Sequence, residues 1–148
     1  MSKRKSATWD AGAGAAANAR RELPRLAADY FAEVRKTLAE DPTLAELHRV
    51  RLATKRLRYT LELFRSCYGP GLETRLAALR VIQQLLGEVN DSVAAAKLLP
   101  QSMRAREFVE RRGEAKAQEF RKHWAEVFDA AGHERLWTGF LARNARKR

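Results

Sequence analysis

The chain has 148 residues, with 29 Lys+Arg against 18 Asp+Glu, a formal charge of +11, and 45% apolar content. That length suits one domain with a sizeable core, and that apolar content excludes a wholly disordered chain. No apolar stretch approaches the ~20 residues of a membrane helix, and no apolar run follows the basic start, so neither a membrane span nor a secretory signal is expected.

Good helix formers dominate. There are 26 Ala and 18 Leu against one Ile and seven Val, which predicts an all-α fold. Residues 1–21 hold little core-forming content and read as a flexible basic tail, with helix allowed near its end. Leu26, Tyr30, Phe31, Val34 and Leu38 follow at helical spacing, predicting a helix over Leu23–Glu40 with Pro24 in its first turn. Asp41 is the expected N-cap of a second helix, with Pro42 at its first position and its end at Gly69-Pro70-Gly71. A third helix is expected from Leu72 to Leu99, kinked or split at Gly87 or at Asn90-Asp91-Ser92 and closed by Pro100. A fourth spans about Gln101–Ala131, with Phe108, Phe120, Trp124, Val127 and Phe128 offered to the core and Gly113 as a weak spot. After Gly132 a short helix carries Leu136, Trp137, Phe140 and Leu141, and residues 143–148 form a basic tail. Short connections favour antiparallel neighbours, so the expected architecture is an antiparallel four-helix bundle with a short additional C-terminal helix over residues 22–142.

The second helix is the most informative segment. From His48 to Arg65 there are six Lys/Arg and one acid, Glu62. At ~100° per residue, Val50, Ala53, Leu57, Leu61 and Phe64 fall on one face. His48, Arg51, Lys55, Arg58 and Tyr59 fall on the opposite one. Like charges stacked one turn apart destabilise a helix by a few tenths of a kcal/mol per pair. A face built this way suits an extended polyanion, with Arg as forked donor and Lys as point charge. The third helix adds Arg75 and the stretch Arg80–Asp91, in which Gly87 costs ~1 kcal/mol relative to Ala and marks close helix contact.

These two segments resemble the conserved histidine α-helical domain, or CHAD. Its signature is similar to His48, Arg51, Leu52, Lys55, Arg56 and Arg58, followed on a later helix by Leu86, Gly87 and Asp91. Lys55 stands where the family usually has Arg, and Asn90 where many members have Arg. The resemblance implies binding of inorganic polyphosphate, with association with polyphosphate granules in some members. It also implies two related bundles across a basic pore. This chain has length for one, which leaves a homodimer replacing the second bundle, or a single open surface. The expected ligands are His48, Arg51, Lys55 and Arg58, with Arg56 and Arg80 in support.

Other classes fit less well. His48, His123 and His133 are scattered, and no Gly-rich phosphate loop or nucleophile motif is present. No catalytic residue, cofactor or metal is expected. Cys67 excludes an internal disulfide, and its expected role is a small buried hydrophobe in a reducing cytoplasm. A nucleic-acid-binding module using the same basic face stays open as the alternative, because phosphates attract any such surface non-specifically. A membrane partner is not expected, since the bundle core consumes the apolar faces.

Overall fold

The computed structural model describes residues 7–147. Among them are six α-helices and no strand: α1 Ala15–Leu38, α2 Leu44–Glu62, α3 Arg65–Tyr68, α4 Pro70–Lys97, α5 Arg104–His123 and α6 His133–Arg143. A π-helical turn, Trp124–Phe128, links α5 towards α6. Helices α1, α2, α4 and α5 form the bundle. α4 lies between α2 and α5, while α1 packs on α2 and on the short α6.

The N-terminal segment is ordered further out than its composition implies. α1 begins at Ala15, so residues 15–21 belong to the bundle rather than to a flexible tail. Ala19 and Leu23 are fully buried. The Asn18 side chain accepts from Asp10 N at 2.7 Å and donates to Asp10 O at 2.9 Å, which ties down the lead-in. Trp9 lies 5.5 Å from the Phe64 ring. Residues 1–6 of the expected tail lie outside the described residues. Pro24 sits inside α1 rather than in its first turn, where its missing N–H removes one helical bond.

The C-terminal residues are not a free tail either. Ala145 is buried, Arg20 donates to its carbonyl, and Arg146 N donates to Cys67 O at 2.9 Å. Cys67 itself is buried. Arg148 lies outside the described residues.

Helix α2 starts two residues after the expected Asp41-Pro42 boundary. Thr43 is the N-cap: Glu46 N donates to Thr43 Oγ1 at 3.1 Å, and Thr43 N donates to Glu46 Oε1 at 3.2 Å. This is a capping box, legible as Thr43-Leu-Ala-Glu46. The helix stops at Glu62, before the predicted Tyr68, and α3 follows as a single turn. Gly69 (φ +73°) reverses the chain, and Pro70 opens α4.

α4 runs unbroken through Gly87 and Asn90–Ser92, against the expected kink. Gly113 is a seat rather than a weak spot: a Cβ there would lie 3.0 Å from Ser92 Cβ, so its bare backbone lets α5 approach α4. Tyr30, Phe31, Trp124, Phe128 and Trp137 form an aromatic cluster, with Trp124 and Phe128 stacked at 5.1 Å. Two residues offered to the core stay out of it: Phe108 is 65% exposed and Val127 lies at the surface. Leu136 is also exposed. The outer half of α5, residues 104–112, buries no side chain, so Phe108 has nothing to pack against. No helix among the described residues is long and apolar enough to cross a membrane.

Candidate polyanion-binding site

Burial of Val50, Ala53, Leu57 and Leu61 sets the rotation of α2. Each is one turn from the next, so the helix has one seating against its neighbours, and its basic residues are turned outwards and towards α4. Arg51 and Arg58 reach the α2–α4 groove, where they meet Arg80 from α4. Together with Gln83, Gln84, Gly87, Glu88 and Asp91 they line one open cleft of about 300 Å³.

Glu62 organises two of the three guanidinium groups. Its Oε1 accepts from Arg58 Nη1 at 3.2 Å and from Arg80 Nη2 at 3.3 Å. One carboxylate thus ties the end of α2 to α4 and holds two cations side by side. The Arg58 side chain is only 15% exposed, and its guanidinium also lies 4.6 Å from the Tyr59 ring centre.

Arg51 differs from both. It makes no ion pair or hydrogen bond among the described residues, and its Nε is buried without a partner. It lies over Gly87, where a Cβ would sit 3.6 Å from its Nε and 3.8 Å from its Nη2. The bare backbone of Gly87 therefore leaves the guanidinium room against α4. Arg58 Nε and Gln83 Oε1 are likewise buried and unpaired. Unsatisfied polar atoms of this kind are uncommon in folded chains, and here three of them gather in one cleft. Asp91 lines the same cleft and makes no ion pair among the described residues.

The expected ligands separate into two groups. Arg51, Arg58 and Arg80 come together in the cleft. His48 and Arg56 are exposed on α2, and Lys55 is half-buried, but none of these three lines it. Arg75 is not near it: its guanidinium covers the Phe140 ring at 3.8 Å and donates to Gly71 O and Leu136 O. Burial lowers its pKa from the usual arginine value. From the sequence alone, Glu62, Gln83, Gln84 and Glu88 have no expected role in the site. Gln83 and Gln84 follow Arg80 by three and four residues, so helical spacing alone places them on the Arg80 face.

The histidines are far from one another in role. His123 meets Ala78 O at 3.4 Å, and His133 Nδ1 meets Val127 O at 2.7 Å. Among the described residues no group of three or more His, Cys, Asp or Glu is placed to hold a metal ion.

A family model described as the CHAD domain matches residues 2–100, two thirds of the chain. The chain belongs to the CHAD family. No curated protein and no solved structure matches it. The CHAD match takes in α1 to α4, and so both walls of the α2–α4 cleft; α5 and α6 lie beyond it.

Proposed function

We propose that this CHAD chain binds inorganic polyphosphate at the α2–α4 face and does no chemistry on it. The observation that carries the reading is the cleft itself: three guanidinium groups converge there, and the one on Arg51 has no carboxylate partner among the described residues. Phosphate oxygens are the natural acceptors for such forks. His48 and Lys55, on the same outward stripe of α2, extend the positive field along a chain leaving the cleft. Family membership supports the ligand class through the resemblance set out above. By the same reading the protein resides in the cytoplasm and collects on polyphosphate granules, and two copies pair to supply the second bundle.

Calorimetric titration tests this. Long-chain polyphosphate is titrated at near-physiological salt beside duplex DNA and RNA of matched phosphate content. Selective polyphosphate binding is expected, with affinity falling steeply as salt rises because bound counterions are released. The double substitution Arg51→Glu with Lys55→Glu abolishes it while helical circular dichroism is retained, whereas changing Arg146 and Lys147 has a small effect. Equal or tighter nucleic-acid binding sinks the proposal in favour of a nucleic-acid module. Equal losses from the C-terminal pair indicate a non-specific cationic surface.

A further inference from the structure

We infer that the outer half of α5 carries a second anion subsite, continuous with the α2–α4 cleft, so that a long polyphosphate chain is held at both. The inference rests on the polyphosphate reading above and extends it to residues outside the family match. Phe108, Arg111, Arg112 and Lys116 recur at helical spacing along one face of α5 and line an open cleft of about 520 Å³. From Phe108 to Lys116 that face is about 12 Å long.

Two of its three cations, Arg111 and Arg112, are available. Arg112 makes no ion pair or hydrogen bond among the described residues, and Arg111 has only Glu107 at 3.7 Å, both side chains being 70% exposed. Pairs so exposed contribute little, ~0–1 kcal/mol. None of these charges supports the core, because residues 104–112 bury no side chain.

The two clefts share a wall. Lys116 Nζ lies 3.4 Å from Glu88 Oε2. Glu88 lines the first cleft and Lys116 the second. Lys116 Nζ also lies 3.5 Å from Glu119 Oε1, so the ridge holds one cation between two carboxylates, and a polyphosphate chain crossing from α4 to α5 takes Lys116 from them. The close seat of Gly113 on Ser92, one turn from Lys116, fixes the two helices at this crossing. Tandem sites joined by one ligand raise its affinity without any new contact type, provided the ligand spans both.

The test compares two probes on two proteins. Tripolyphosphate is too short to leave the first cleft, and long-chain polyphosphate is not. Wild type and the double variant Arg111→Ala, Arg112→Ala are titrated with each, with thermal melts confirming the same fold. The expected result is a loss of about tenfold for the long chain in the variant, a salt dependence shallower by about two phosphate contacts, and unchanged tripolyphosphate binding. Equal losses on both probes, or none on either, overturn the subsite. So does a cleft that takes single-stranded DNA instead, seen as a Phe108→Ala variant that loses oligothymidylate while long-chain polyphosphate binding survives Arg111→Ala, Arg112→Ala. A wild type that binds neither polyphosphate probe refutes the parent reading and the subsite together. A wild type that binds both, with no length-selective loss in the variant, refutes the subsite alone.

Discussion

Helices α2 and α5 have the same net charge and opposite roles in the bundle. α2 carries five cations and two carboxylates, and α5 seven cations and four carboxylates, leaving +3 on each. In α2 the apolar residues form an unbroken stripe, so the helix is clamped at one rotation and two of its arginines, Arg51 and Arg58, are pressed into a groove. In α5 the only buried residues are Gly113 and Phe120, and its acids alternate with its bases, as in Arg106–Glu110 and Arg111–Glu107. Net charge therefore does not distinguish a helix clamped into the core from one exposed along its outer half. Patterning does: a continuous apolar face fixes the rotation of α2 and sends Arg51 and Arg58 towards α4, whereas α5 has no such face over residues 104–112.

The largest effect that sharpens this comparison is on stability. Leu61→Ala in α2 removes a fully buried side chain and is expected to cost about 2–5 kcal/mol. Phe108→Ala in α5 removes an exposed one and is expected to change stability by less than about 0.5 kcal/mol. Denaturant melts of the two variants decide it, and a large loss from Phe108 would mean α5 has a partner that buries it.

Next is the cap that starts α2. Thr43→Ala deletes the acceptor for Glu46 N and is expected to cost about 1 kcal/mol, read from the same melts. α5 has no side-chain cap at its start, so substituting Met103 at the equivalent position has no comparable effect.

A smaller effect separates preorganisation from competition in the cleft. Glu62 occupies Arg58 and Arg80 in the free protein, so an incoming phosphate must displace it. Glu62→Gln is expected to tighten polyphosphate binding a few-fold at low salt. A weakening instead would show that Glu62 holds the two arginines in a productive geometry.

The smallest effect is on acid stability. The backbone N–H and hydroxyl of Thr43 hold the Glu46 carboxyl below its ordinary value of 4.5. Burial raises that of Glu22, but the guanidinium groups of Arg25 and Arg21 outweigh it and leave it lowered as well. A carboxyl with a lowered folded value adds stability that is complete above its unfolded value and is withdrawn as pH falls through the folded one. Stability is therefore expected to decline below about pH 4.5, and Glu22→Gln with Glu46→Gln is expected to flatten that decline in pH-dependent melts.

Much of the cleft was legible before the tertiary structure. Helical spacing and the family resemblance point to Arg51, Arg58 and Arg80, and the capping box is written in the sequence as Thr43-Leu-Ala-Glu46, two residues beyond Asp41. The burial of Asn18 and Ala19, within residues 15–21, is not legible in the sequence, because alanine and asparagine carry no apolar bulk. Ala19 enters the core through its smallness, and Asn18 acts through hydrogen bonds to a segment eight residues away. Phe108 and Val127 failed in the other direction: apolar residues on a helix are buried only where another element covers them.

By itself the sequence determined the all-α class, the amphipathic α2 and the side of it that bears the cations, because helical period and residue type are local properties. Only the tertiary structure decided which of those cations meet. Arg51 lies over Gly87, Glu62 joins Arg58 to Arg80, and Lys116 reaches Glu88. Each of these depends on the rotation and separation of two helices, which are set by the shapes of buried side chains distant in the chain.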